Sequence, residues 1–97
     1  MELAHALTDA GCAARRGQQF SGGSDSPDVV CEALGAYHIE CKRVEAGNLY
    51  TWLRQSIRDA GAKIPLVMHR RNQQEWVVIM RLPDFLALAK GRQDGQP

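Results

Sequence analysis

Apolar residues recur along this chain at helical spacing, then in alternation, then at helical spacing again. Leu3, Ala4 and Leu7 share one helical face within residues 1–10, and Gly11 stands where a helix stops, which predicts a first helix. Residues 13–20 carry Arg15, Arg16, Gln18 and Gln19 and read as ambiguous, with a short exposed strand as one option. Ser21-Gly22-Gly23-Ser24-Asp25-Ser26-Pro27 is turn chemistry and reads as a loop. Asp28 to Glu32 is a strand rich in β-branched residues, Leu34-Gly35-Ala36 is a tight connection, and residues 37–44 alternate Tyr37, Ile39 and Cys41 with His38, Glu40 and Lys42. Strand, turn and strand predict a hairpin.

Asn48 suits the cap of a helix from Leu49 to Ala60, ended by Gly61. Leu49, Trp52, Leu53, Ser56, Ile57 and Ala60 fall on one face, with Arg54, Gln55, Arg58 and Asp59 off it. Residues 65–70 and 75–80 are apolar strands around a polar turn at 71–74. Pro83 opens a last helix whose Phe85, Leu86 and Leu88 are expected to pack inward, and residues 91–97 read as a disordered tail. The expected order is α-β-β-α-β-β-α: a single mixed α/β domain over residues 1–90, with a central mixed sheet flanked by helices.

Length and composition narrow this picture. Ninety-seven residues hold one core, and 44% apolar with 24% charged residues is ordinary globular composition. Twelve Lys and Arg against eleven Asp and Glu exclude a polycation, while leaving room for basic patches. The longest apolar runs are four or five residues, far below the about 20 of a membrane span, so no membrane partner is expected. Residues 1–10 do not read as a signal peptide. Three cysteines, Cys12, Cys31 and Cys41, argue against a disulfide framework or thiolate zinc site and for a reducing cytoplasm.

The candidate chemistry lies at the hairpin. Pro27-Asp28 opens one strand, and Glu40-Cys41-Lys42 lies on the next. Glu40 and Lys42 project from the same face, and hairpin pairing brings Asp28 beside Glu40. Two converging carboxylates repel unless a cation lies between them, and hard oxygen ligands favour Mg²⁺, with Mn²⁺ as a substitute. The backbone carbonyl of Cys41 suits a further ligand. Such a metal polarises a phosphate oxygen and acidifies a water, while the Lys42 ammonium orients that water or stabilises the transition state. Each role suits phosphodiester hydrolysis.

Pro27-Asp28, Glu40-Cys41-Lys42 and the element order resemble the PD-(D/E)XK nuclease superfamily, in particular Holliday junction resolvases, including small phage- and prophage-encoded ones. The resemblance extends through Arg15-Arg16-Gly17, the loop from Ser21 to Ser24, the helix ending in Ala60-Gly61, and His69-Arg70-Arg71 with Trp76. It implies a restriction-endonuclease-like fold, Asp28 and Glu40 as metal ligands, and Lys42 as the catalytic lysine. The family often carries one more acid on the first helix. Aligned through Gly11 and Arg16, that position falls just before Met1, and Glu2 is the nearest acid. Gln55 loosely matches a glutamine found on the helix after the lysine strand.

Arg15, Arg16, Arg70, Arg71 and Ser24 are candidate contacts to DNA phosphates, provided the fold brings them round the acids. Arg43, Asp25, His38 and His69 read as surface residues, and Trp52, Trp76 and the cysteines as core. The expected activity is a Mg²⁺-dependent endonuclease acting on branched DNA in DNA recombination and repair. Its expected form is a homodimer, because a four-way junction presents two equivalent strands. The helix 49–60 and the last strand are candidate interface elements. The alternatives are a nuclease of ends, flaps or nicks, and a non-catalytic nucleic-acid-binding module.

Overall fold

The alternation of residues 37–43 becomes the middle strand of a five-stranded sheet in a computed structural model, which describes residues 1–17 and 28–94. The chain runs α1 (Glu2–Asp9), β1 (Ala14–Arg16), β2 (Val29–Cys31), a 3₁₀ turn (Glu32–Leu34), β3 (Tyr37–Arg43), α2 (Leu49–Ala60), β4 (Ile64–Arg70), β5 (Val77–Ile79) and α3 (Leu82–Asp94). The strands lie in sequence order across the sheet. The expected hairpin is present: β2 is antiparallel to β3, with Val29 opposite Ile39. The ambiguous stretch supplies β1, an edge strand pairing Arg16 with Val29. A helix between two strands favours a parallel crossover. Accordingly β3 and β4 run parallel from Tyr37–Ile64 to Arg43–Arg70, and β5 returns antiparallel.

Alternation gives the sheet two distinct faces. On one, Leu3 of α1 is buried with Val29, Ile39, Leu66 and Met68, bordered by Leu7, Tyr37, Cys41 and Trp76. Glu40, Lys42, Val67 and His69 alternate onto the other, beneath α2. The α2 cap is as expected: Asn48 Oδ1 accepts from Thr51 N at 3.1 Å. Ser56 Oγ donates to Leu66 O at 3.2 Å, and the Trp52 ring lies 4.8 Å from that of His69. Gly47, at φ +155°, lets the loop before α2 pass directly over Trp52, where any Cβ would meet the indole ring.

Four expectations are corrected. Asp59 is buried on α2 together with Ser56 and Ala60, whereas Leu49 and Ile57 sit on the exposed rim. The inward face of α2 follows i, i+3, i+4 spacing from Ser56, which includes Asp59. His38 is buried, because β3 is central and α2 covers it. Phe85, Leu86 and Leu88 are exposed, since α3 leaves the edge strand β5 where no further layer lies beneath it. Finally, α3 continues to Asp94 and takes in residues 91–94, which Gly and polar composition alone would place in a tail. Among the described residues no helix is long and apolar enough to cross a membrane.

Candidate metal and phosphate site

The hairpin register builds the site. With Val29 opposite Ile39, the position before Val29 faces the position after Ile39, so Asp28 and Glu40 come together at the end of β2. Asp28 is fixed through its backbone: its N–H donates to Ile39 O at 3.0 Å, and its carbonyl accepts from Gly17 N at 2.8 Å. Its Oδ2 accepts from Cys41 N at 2.7 Å, which holds the carboxylate at the β2-facing edge of β3, where the chain passes from Glu40 to Lys42. Within a strand the N–H and C=O of one residue point to the same edge. The Cys41 carbonyl therefore lies on the Asp28 side of β3.

Glu40 is only 6% exposed. Burial pushes its carboxyl up from the ordinary 4.5 to about 7, and the negative charges of Asp28 and Asp59 push the same way against the weaker pull of Lys42. Asp59, itself 8% exposed, also shares a hydrogen bond with Glu40. Glu40 is thereby poised to hold a proton close to neutrality. Asp59 is the residue that sequence reasoning missed. The available signal was its i, i+3 relation to Ser56, which outweighs its polarity in setting the face. Burial also pushes the Cys41 thiol up to about 11, which keeps it protonated and unreactive.

The donor set fits a hard divalent cation. Asp28 and Glu40 supply two carboxylates, and Mg²⁺ is commonly held by one or two carboxylates plus waters. Among the described residues no three His, Cys, Asp or Glu side chains converge as a complete metal cage, so the Cys41 carbonyl and water would supply the remaining oxygens. Lys42 is half-buried on the same face, two residues along.

The other candidates divide. Glu2 lies on α1, near enough for its charge to act on Cys41. Its carboxylate is engaged by Arg70 and by Arg43, whose Nε lies 3.0 Å away, and Arg70 foremost holds it below the usual carboxylate range. Both arginines belong to the α1 face of the sheet, opposite Glu40. Arg70 engages Glu2 and donates to Gln74 O at 2.6 Å. Arg43 lies at the surface, its side chain 31% exposed, and also reaches Asn72 Oδ1 at 2.8 Å and Glu45 Oε2 at 3.3 Å. Arg16 is exposed and lines a hollow with Met1, Gly17 and Asp28, beside the acids. Arg15 is exposed one residue back on β1, and Arg71 is exposed in a separate hollow with His69 and Val77. Gln55 is half-buried on α2, one turn before Asp59 and therefore on its flank. Ser24 and Pro27 lie outside the described residues. Comparison with protein-family models, with curated proteins and with solved structures finds no match for the chain.

Proposed function

We propose that this protein is a metal-dependent DNA endonuclease of the PD-(D/E)XK type, with a restriction-endonuclease-like fold, acting in the cytoplasm of a bacterial cell on branched DNA such as a four-way junction. The observation that carries the reading is the meeting of Asp28 and Glu40 across the β2–β3 register, with Lys42 on the same face. The hairpin register supports the reading by bringing Asp28 of one strand to Glu40 and Lys42 of the next at one sheet end.

Asp28, Glu40 and the Cys41 carbonyl would hold Mg²⁺ or Mn²⁺. When bound, such an ion polarises a phosphate oxygen and lowers the pKa of a coordinated water. Lys42 supplies a positive charge where the attacked phosphate becomes more negative, and its ammonium can hold the attacking water. Arg16, and with it Arg15, offsets the repulsion between the acids and the DNA backbone. A homodimer with twofold symmetry would set two such sites against the two equivalent strands of a junction.

The reading is tested on denaturing gels with labelled four-way junction and matched linear duplex, in Mg²⁺, Mn²⁺ and chelator. Paired symmetric cuts in the junction alone are expected. Cutting of the duplex as well would keep the nuclease and remove the junction preference. Binding without any cutting would favour a nucleic-acid-binding module instead, a reading that the engagement of Glu2 by two arginines makes concrete. Arg16→Ala is expected to weaken junction binding and to reduce the slope of log affinity against log salt by about one. An unchanged slope would remove Arg16 from the DNA interface.

A further inference from the structure

We infer that the hollow at the carboxyl end of the β3–β4 pair is a subsite for one unpaired nucleotide, with its base against Trp52 and His69 and its phosphate at Arg71. This rests on the nucleic-acid part of the reading above and not on its metal chemistry. β3 and β4 are the parallel pair of the sheet, and α2 crosses between them. In open α/β sheets ligands bind in the crevice beyond the carboxyl ends of such strands. Here that crevice is a hollow of about 270 Å³ between the 45–47 loop, the start of α2 and β5. It is slightly smaller than the sites of drug-sized ligands, which suits a single planar base.

The walls are ring and aliphatic surface. Trp52 and His69 line the hollow with their rings 4.8 Å apart and inclined at 51°, so neither is stacked on the other. The His69 ring is fixed, because its Nε2 donates to Val44 O at 2.9 Å. Val77 stands opposite His69 in the register and is 50% exposed, and Leu49 at the start of α2 is 44% exposed. Bases stack on such surfaces with little regard to sequence, since every base has a π-face. Charge favours a nucleotide over an apolar side chain of a protein. Lys42 is the register partner of His69, one strand spacing of about 4.8 Å away. Arg71 lines the hollow, and among the described residues its guanidinium has no hydrogen bond or ion pair. Among the described lining residues Glu45 is the one carboxylate, and it is engaged by Arg43 at 3.3 Å and by Asn72 N at 2.8 Å. Two cations thus flank an apolar, aromatic hollow beside the place where a phosphate would be attacked. Branched DNA supplies such a nucleotide more readily than duplex, because a base that is already unpaired takes less energy to turn out.

The test measures binding by the full chain in chelator. The probes are labelled oligothymidylate of about eight nucleotides and the same sugar–phosphate chain without bases. Affinity for the base-bearing chain is expected to exceed that for the bare chain by on the order of 10-fold, the effect of stacking one base. Trp52→Leu, which keeps apolar bulk and removes the ring, is expected to bring that ratio close to one. Val77→Glu should do the same from an exposed position, where the fold has little to lose. The two probes carry equal charge, so the added carboxylate cancels from the ratio. A ratio near one in the parent would overturn the inference, and so would binding of neither probe, which leaves the hollow to a protein partner. A ratio kept by Val77→Glu and by folded Trp52→Leu would overturn it as well, since the base then lies elsewhere. Cleavage of junction DNA is scored separately. A protein that cuts without any base preference loses this subsite and keeps the nuclease reading, and one that prefers the base-bearing chain but cuts nothing does the reverse.

Discussion

Lys42→Ala protein is expected to bind junction DNA as the parent does and to cut it at least about 10²–10³-fold more slowly at saturating Mg²⁺, the loss typical of removing one group aimed at developing transition-state charge. The geometry is the reason. Lys42 stands two residues from Glu40 on the same face of a central strand, and Asp28 is tied down at the edge of that strand by its bond to Cys41 N. The ammonium is therefore held beside the place where a phosphate would be attacked. It is half-buried, which strengthens its field there. Asp28→Asn should abolish cleavage by a different route, since an amide is a neutral and poorer ligand for a hard cation. Single-turnover rates on labelled junction, with affinity measured in chelator, separate the two. Rates within a few-fold of the parent for both variants would dismiss the metal site.

The parts of this site that are legible in the sequence are those set by local period. Alternation over Tyr37–Arg43 puts Glu40 and Lys42 on one face, and the hairpin places Asp28 opposite, so the trio follows from the chain alone. What is not legible depends on long-range partners. Nothing near Glu2 signals that Arg43 and Arg70, some forty and seventy positions away, will claim its carboxylate. Those arginines sit side by side only because β3 and β4 run parallel in that register. Asp59 is misplaced when residue polarity alone sets the face of α2, because tertiary packing rotates the helix to bury it beside Glu40. Phe85, Leu86 and Leu88 of α3 read as a packing face from their apolar character alone, and their exposure depends on where α3 leaves β5, which no local pattern fixes.

The buried pair makes a second large effect, this time on stability. Glu40→Gln is expected to raise the melting temperature of the metal-free protein at pH 8 and to leave it nearly unchanged at pH 5. The sign follows from the raised carboxyl. Between the ordinary 4.5 and about 7 the folded chain holds a proton on Glu40 that the unfolded chain has released. Stability therefore falls as pH rises through that window, and is fully retained only below it. At pH 8 the folded state must keep a Glu40 carboxylate buried beside Asp28 and Asp59, with only Lys42 opposing. Gln carries no such charge, and its amide can still donate to Asp59. The gain at pH 8 should be on the order of 1–3 kcal/mol, because each tenfold change in a carboxyl's proton affinity on folding corresponds to about 1.4 kcal/mol. In a domain of this size each kcal/mol moves the melting point by about 4–8 °C. Millimolar Mg²⁺ should stabilise the parent at pH 8 by relieving the same repulsion, and should stabilise Glu40→Gln much less. Calorimetry of both proteins at pH 5 and pH 8, with and without Mg²⁺, reads all of this. If Gln instead lowers the melting point at pH 8, the attraction of Lys42 for the Glu40 carboxylate outweighs burial and the two neighbouring acids. The pair would then be an ordinary ion pair on a strand, with no strain for a cation to relieve.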